Sequence, residues 1–549
     1  MEKRILLAII LSFAVVFLYQ LLFIKKASQP PQSTQPKEVM KTEKKIEKIK
    51  EPVIETPKVI GGKHDEEIAG EGEAEIVVKT PLYEAVWTNR GGLLKSWKLK
   101  KHKDDEGNQL ELVSQLAKEI GMYPFYILID SENYNSRINN VFYKFSKKSL
   151  DLSSGEKDKL EFIYSDGKSV YIKKTFYFNG DDYLVKPEIE VLINGEKQSP
   201  QILWGPGLRW ISESEKKRKF TGGRDIAVLV GNKVYRVKEE KIKPEENIYL
   251  YPRWAAYEDT YFTALFLLTP NKSKARAFKI IKDNKPFYFL SVTAPEKAFL
   301  GPKEYDALLK LGSQAKKLIK FGFFGWIAEI LLRALQFIHK FIPNYGFSIM
   351  ILTLIIKILF FPLTFSSSKS MAKMQEIQPK IKALRAKYKK AKTDIAQRRK
   401  LNEEMMRLYK EHGINPAGGC LPLLIQIPVF WGFFRLLLVS IELRHSPFIL
   451  WIKDLSVKDP YYVTPILMGI TQYISQKMTP SSADPTQARI MLIMPVIMTL
   501  FFMNFQSGLV LYWLTNNVLQ IAQQYAINKL MKKSKKEKKG KNGGKKKRK

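Results

Sequence analysis

Cysteine is almost absent from this chain. With Cys420 alone among 549 residues, it can form neither an intrachain disulfide nor a cysteine-based metal site. Every folded part must therefore be held by its core. Histidine is nearly as scarce, and His64, His102, His339, His412 and His445 are scattered without ligand spacing, so no metal and no cofactor is expected. Acidic residues are in deficit as well: 91 Lys and Arg face 54 Asp and Glu, a formal charge of +37. That excess is too large for an ordinary globular surface and calls for an anionic partner, nucleic acid or anionic lipid. The stretch from Trp204 to Arg209 (WGPGLR) lacks the Lys-Ser/Thr of a phosphate loop and reads as a turn between strands. No convergent acid and base residues mark an enzyme, and none is expected.

What the chain does have is apolar sequence segregated from charge, with 45% hydrophobic residues beside 26% charged ones. Ile5 to Ile24 is one apolar run of the length a helix needs to cross a bilayer, preceded by Lys3 and Arg4. Residues 1–24 therefore read as an uncleaved anchor entering from the cytoplasm. The following Lys25 to Ser28 (KKAS) offers no signal-peptidase site, and no cysteine follows to carry a lipid. Residues 25–72, rich in Pro, Lys and Glu, read as a flexible tether. Residues 73–311 change to short runs of Val, Ile, Tyr, Phe and Trp broken by Asn89 to Gly92, Asn179 to Asp181 and Asn194-Gly195, the pattern of a large all-β sandwich. Residues 322–342 return to helical spacing. Phe323, Trp326, Ile327, Ile330, Leu331, Ala334, Leu335 and Ile338 recur on one face, opposite Glu329, Arg333, Gln336 and Lys340, as in a helix lying in the membrane interface.

Five further apolar segments follow at 346–365, 417–439, 461–478, 489–505 and 507–528. Loop charge sets their orientation. Residues 366–415 carry 14 Lys or Arg against 5 Asp or Glu, and the tail 529–549 carries 13 against Glu537 alone; both belong on the cytoplasmic side. The connection 441–460 is balanced, Arg444, Lys453 and Lys458 facing Glu442, Asp454 and Asp459, as on an exported side. Six spans with both termini cytoplasmic satisfy every loop, whereas five or seven would export a basic segment. The expected fold is thus multi-domain: a polytopic α-helical membrane protein with six spans, a large exported all-β sandwich and a cytoplasmic helical hairpin. The hairpin reading of 366–415 rests on Met371, Met374, Ile377, Ile381, Leu384 and Tyr388, followed by Ile395, Leu401, Met405, Leu408 and Tyr409, an apolar seam that a solvated loop would not need. The remaining spans occupy 416–528.

Polar residues stand where lipid should forbid them. Lys357 lies inside the apolar run of the second span with Thr353 four positions earlier, Gln426 sits between Pro422 and Pro428, and Trp513, Asn516 and Gln520 share one face of the last span. An intramembrane lysine costs about 2.5 to 3.5 kcal/mol at a helix centre. Two explanations fit it: a hydrated groove lined by these faces, or a snorkelling side chain. Hydrogen-bonded glue between helices accounts equally for the uncharged residues.

At these residues the chain resembles the YidC-type membrane protein insertases, the family that includes the mitochondrial Oxa and chloroplast Alb proteins. Tyr345 to Ile349 (YGFSI), Phe361 to Thr364 (FPLT), Ser370 to Lys380 (SMAKMQEIQPK), Asn415 to Pro428 (NPAGGCLPLLIQIP), Asp459 to Tyr462 (DPYY) and Ser507 to Trp513 (SGLVLYW) carry the resemblance. It covers the last 220 or so residues and, more weakly, the rest of a Gram-negative-type chain with a large periplasmic domain. The resemblance implies an inner-membrane insertase and chaperone for nascent membrane proteins, acting through a positively charged groove open to cytoplasm and lipid and closed on the exported side. Matched onto this chain, the groove charge is Lys357, with Thr353, Gln426 and Trp513 as substrate contacts. The family position is usually Arg, so the charge is kept while the planar bidentate fork is lost. The resemblance further implies the ribosome, the Sec translocon and the signal-recognition machinery as partners; for the tail, ribosomal RNA and anionic lipid are both suitable polyanions. The rival from another class is a solute transporter or channel using the intramembrane polar face, which should show internal repeats; no convincing repeat is found among the spans.

Overall fold

The computed structural model describes residues 66–130, 132–212, 215, 223–243, 247–389, 393–413, 421–478 and 485–546. The expected first span and nearly all of the tether lie outside them. The chain divides into two units at Ile319 and Lys320, and each is described by itself.

The first unit is built from β-strands because its apolar residues alternate. Tyr83, Ala85 and Trp87 are buried from one strand and Val170, Ile172, Phe176 and Phe178 from another, the period of two that places one face on a core. Three sheets result. The largest has eleven strands, its main path running Glu67–Ile68, Lys157–Asp166, Val170–Asn179, Leu184–Ile193, Pro295–Pro302, Phe262–Leu268, Trp254–Glu258, Asp225–Val230 and Lys233–Lys238. One five-stranded sheet orders Asn247–Leu250, Lys274–Lys282, Lys285–Thr293, Gln201–Trp204 and Tyr126–Leu128; the other orders Gln109–Glu111, Leu93–Lys103, Tyr83–Thr88, Glu75–Lys79 and Ser149–Asp151. Pairing is antiparallel except between Glu75–Lys79 and Ser149–Asp151. Short helices at Leu116–Ile120, Glu132–Ile138 and Tyr305–Lys310 interrupt the all-β pattern. Glu67 and Ile68 pair with Asp166 and Ser165, so the folded unit includes residues read from composition as tether. The Asn194-Gly195 turn behaves as its sequence requires, with φ of 51° and 80°, the doubly left-handed turn that matches strand twist.

Aromatic rings fill the core: Tyr83 stacks on Trp97 at 3.8 Å and Trp87 lies 4.2 Å from Phe176. Charge is buried among them in two ways. Arg209, at the end of the turn that follows Trp204, bonds Asp259 and chelates Glu215 at 2.5 and 2.9 Å, all three nearly inaccessible. Burial alone would raise the Asp259 carboxyl, but the guanidinium outweighs it and holds the group below its usual range. Lys174 is different. It occupies an inward position of the strand Val170–Asn179, fully buried, and donates only to carbonyls, Gly91 O at 2.6 Å and Phe125 O at 3.2 Å. Burial without a counter-charge pushes its amine down to about 7.

The second unit is helical: α1 Gly325–Phe341, α2 Tyr345–Leu359, α3 Phe361–Lys387, α4 Ile395–Glu411, α5 Leu421–Val439, α6 Val463–Met478, α7 Pro485–Phe502 and α8 Ser507–Lys546. The expected apolar segments after residue 345 fall on α2, running into α3, and on α5 to α8. Among the described residues no single helix is long and apolar enough to cross a membrane; α2 and α3 pass together, bent by 59°. Pro362 at the start of α3 accommodates that break, having no N–H to satisfy. The last apolar segment and the basic tail form one helix to Lys546.

Two expectations change here. The apolar residues of α1 divide into two faces: Ala328, Leu331, Leu332, Leu335 and Ile338 are buried, while Trp326, Ile330, Phe337 and Phe341 are exposed. The seam between α3 and α4 is made by Met374, Ile377 and Ile381 against Met405, Leu408 and Tyr409. Ile395, expected in that seam, is 84% exposed, because it is the first residue of α4, directly after the capping Asp394. Close helix approach is set by glycine: a Cβ on Gly469 of α6 would lie 1.9 Å from Thr499 Oγ1 of α7.

Two outcomes test the first unit. Replacing Lys174 by Met should flatten a pH dependence. The folded amine holds its proton less tightly than the unfolded one, so wild-type stability rises with pH from about 7 towards the unfolded lysine value, and the variant gains on the order of 1–3 kcal/mol at pH 7 after loss of the two carbonyl bonds. Thermal unfolding of both proteins between pH 6.5 and about 10 measures it, and parallel pH profiles refute it. Arg209→Met should destabilise this unit by about 3–5 kcal/mol by stranding two buried carboxylates, read as a lower denaturant midpoint.

Candidate functional site

The six polar residues expected to act together lie on α2, α5 and α8. Asn344 starts α2 by accepting from Gly346 N at 2.9 Å and Phe347 N at 3.2 Å, while its amide donates to Phe448 O at 3.0 Å, so cap and loop fix the helix start together. At the other end of α2, Lys357 is half-buried and its Nζ donates to Gln520 Oε1 of α8 at 2.8 Å. No carboxylate of the described residues pairs with it. Thr353 is buried, but its hydroxyl turns back to Ile349 O at 2.6 Å on its own helix. The expected companion of Lys357 thus offers no hydroxyl proton to a partner, since a threonine in a helix satisfies itself locally.

One face of α8 serves three neighbours. Asn516 Oδ1 accepts from Gln426 Nε2 of α5 at 3.2 Å, Gln520 holds Lys357 of α2, and Trp513 Nε1 donates to Gln472 Oε1 of α6 at 3.1 Å. The indole is fixed by rings as well, edge-on to Phe430 at 4.9 Å and 5.3 Å from Phe502. Gln472 in turn depends on how α6 begins. Asp459 Oδ2 accepts from Thr464 N at 2.8 Å and Thr464 Oγ1 at 2.7 Å, and Oδ1 accepts from Trp451 Nε1 at 3.0 Å. Burial would raise this carboxyl; those donors hold it below the usual range.

The structure therefore brings together five of the six residues as partners in three pairs, and it adds others. Gln472 was missed, although a Thr-Gln pair inside an apolar segment is a visible signal. Asn517, 3% exposed, bonds Met468 O at 3.1 Å, and Gln524, fully buried, receives the Ser368 hydroxyl at 3.5 Å. Gln523, three residues after Gln520 on the same face, is nine-tenths buried. Chemically the set is one cation, an indole N–H and a run of neutral amides, hydrogen-bonding groups able to meet both donors and acceptors.

Comparison with known proteins gives the family. A model described as the 60Kd inner membrane protein matches residues 337–536, and one described as the YidC periplasmic domain matches residues 75–334. The membrane protein insertase YidC of Syntrophus aciditrophicus is 39% identical over 96% of this chain and 100% of its own length; that of Geotalea daltonii is 36% identical over 96% and 99%. A solved structure of an active YidC insertase with its first transmembrane domain resolved covers 84% of this chain and 94% of its own, at 21% identity and a TM-score of 0.36. With near-complete coverage at well over 30% identity, and both halves matched by family models, the chain belongs to the YidC family of inner-membrane proteins, in the form that carries a large periplasmic β domain.

Proposed function

We propose that this protein is a membrane protein insertase and chaperone that moves hydrophilic parts of nascent membrane proteins into the bilayer through an inward-open groove lined by α2, α5 and α8. The observation that carries the reading is Lys357: a cation on an apolar helix whose hydrogen bond goes to a neutral amide, Gln520, and to no carboxylate of the described residues. A neutral acceptor offsets part of the desolvation cost and leaves the charge uncompensated. An acidic residue on a passing chain supplies the missing counter-charge, and a wet groove shortens the apolar path it must cross. Transfer needs no covalent step.

The rest of the reading follows from charge and sidedness. Six spans place both termini, the basic pair α3 and α4 and the Lys-rich tail in the cytoplasm, and the β domain in the periplasm. The basic segments then meet the ribosome, with the Sec translocon and the signal-recognition machinery as further partners. The exposed Trp326, Ile330, Phe337 and Phe341 of α1 face membrane lipid.

Two measurements test this. In cells depleted of the native insertase, Lys357→Ala should lower insertion of a small substrate with an acidic translocated tail by about tenfold, the loss of one charge-assisted contact, and Lys357→Arg should retain it. Wild-type insertion by Lys357→Ala, alongside failure of a variant lacking 529–549, would rule out the groove charge. Ribosome binding to the full chain should weaken steeply between 50 and 200 mM salt, at about the slope expected of several neutralised phosphates, and binding indifferent to salt would exclude the polyanion contact.

A further inference from the structure

The polar face of α8 continues past its three paired positions. Trp513, Asn516 and Gln520 each meet a partner on another helix. Gln523 is the next residue on that face, about 4.5 Å further along the axis than Gln520. It is only 8% exposed, yet neither Oε1 nor Nε2 has a hydrogen-bond partner among the described residues. A buried amide with no partner costs about 1–3 kcal/mol per unmet group, and folded proteins seldom retain one without a use. The neighbouring Gln524 shows what this helix does with a structural amide: fully buried, it receives Ser368 and donates to Asn528 Oδ1 at 3.0 Å.

We infer that Gln523 is a substrate-binding residue that hydrogen-bonds the peptide backbone of the chain being inserted. The chemistry of the two unpaired atoms selects that ligand. The side chain presents one acceptor and one donor group, the complement of a peptide unit, which offers an N–H and a C=O. A lipid phosphate or a substrate carboxylate has acceptors only; it would satisfy Nε2 and set its own oxygens against Oε1. Lys357 covers the acidic case. An extended chain advances about 3.3 Å per residue, so an acidic side chain at Lys357 places a peptide unit one or two residues away at Gln523. Recognition is thereby split between two residues, since the cation reads charge while the amide holds any sequence. The inference rests on the insertase reading and refines the groove proposed for it.

Insertion by the full-length protein is measured for two substrates, one with an acidic translocated tail and one with the same tail neutralised. Gln523→Leu should lower insertion of both by a similar three- to tenfold, Gln523→Asn should recover part of it, and Lys357→Ala should affect the acidic substrate alone. The purified Gln523→Leu protein should melt at the wild-type temperature or above it, since an unpaired amide has been removed. Wild-type insertion of both substrates by Gln523→Leu, as for a site that holds only water, overturns the inference. So does a lower melting temperature, which assigns Gln523 a structural role, or a defect confined to the acidic substrate. In a Cys420→Ser background, Gln523→Cys and Trp513→Cys should both form disulfides with a ribosome-arrested chain carrying one cysteine. Crosslinks at 513 without any at 523 reject Gln523 and keep the groove; none at either position rejects the groove itself.

Discussion

An ammonium group on an apolar helix has few stable solutions, and the arrangement around Lys357 follows from the one adopted here. A carboxylate in place of Gln520 would have formed a closed ion pair, stable in low dielectric and inert towards anything passing. A leucine there would have left the amine with nothing, driving it to lose its proton or to withdraw along its flexible stem. The amide at 2.8 Å is intermediate: it fixes the position of Nζ and accepts one hydrogen bond without cancelling the charge. The same economy applies along α8, where Asn516 and Gln426 pair amide with amide and Trp513 donates to Gln472. Along this face of α8 polarity is built with neutral groups, and the cation they meet is Lys357.

The first unit treats charge in the opposite way. Arg209 is closed by two carboxylates, and Glu258 receives Lys303 at 3.0 Å and Arg236 at 2.9 Å, Glu258 itself being inaccessible. Each network is compensated internally, which is the condition for burying ions without large cost. Among the described buried charges of this unit, Lys174 departs from it. Its amine draws Gly91, in the turn after the strand Tyr83–Thr88, and Phe125, just before the strand Tyr126–Leu128, onto the largest sheet, so one side chain bridges all three sheets through carbonyls. Both units thus use a lysine without a carboxylate. In the first the donors are fully enclosed by backbone, and in the second the amine is only half-buried.

Much of this was legible in the sequence where a short period encodes it. Alternation at Tyr83, Ala85 and Trp87 and the Asn-Gly turn at 194 read directly as strands and hairpin, and the spacing of Trp513, Asn516 and Gln520 marked one face of a helix. What spacing does not carry is the partner. Thr353 shares a face with Lys357, yet a hydroxyl one turn above a free carbonyl bonds its own helix first. The division of α1 into a buried and an exposed apolar face depends on where α5 lies against it: Gly432 approaches Ile327 so closely that a Cβ would sit 2.8 Å from its side chain. Glu67 and Ile68 look like tether in composition, and only a distant strand edge at Ser165 and Asp166 makes them part of a sheet. Gln523 continued the visible face, but that it meets no partner among the described residues is a property of the packed bundle.

Lysine rather than arginine at position 357 matters for the same reason. A guanidinium grips a carboxylate with two parallel bonds and demands a matching plane, whereas an ammonium is a point charge with three donors that needs no such alignment. With one donor committed to Gln520, two remain for a ligand arriving from any direction. For an insertase, holding a substrate strongly is a disadvantage, because the segment must leave for the lipid or the far side. Under the proposed groove mechanism, a loosely oriented charge beside an amide that binds backbone would lower the barrier to entry without creating a deep trap, since neither contact needs a fixed sequence or a fixed pose. On that mechanism the combination would favour throughput over affinity, with one cation, a glutamine that anchors it, and a second glutamine one turn away.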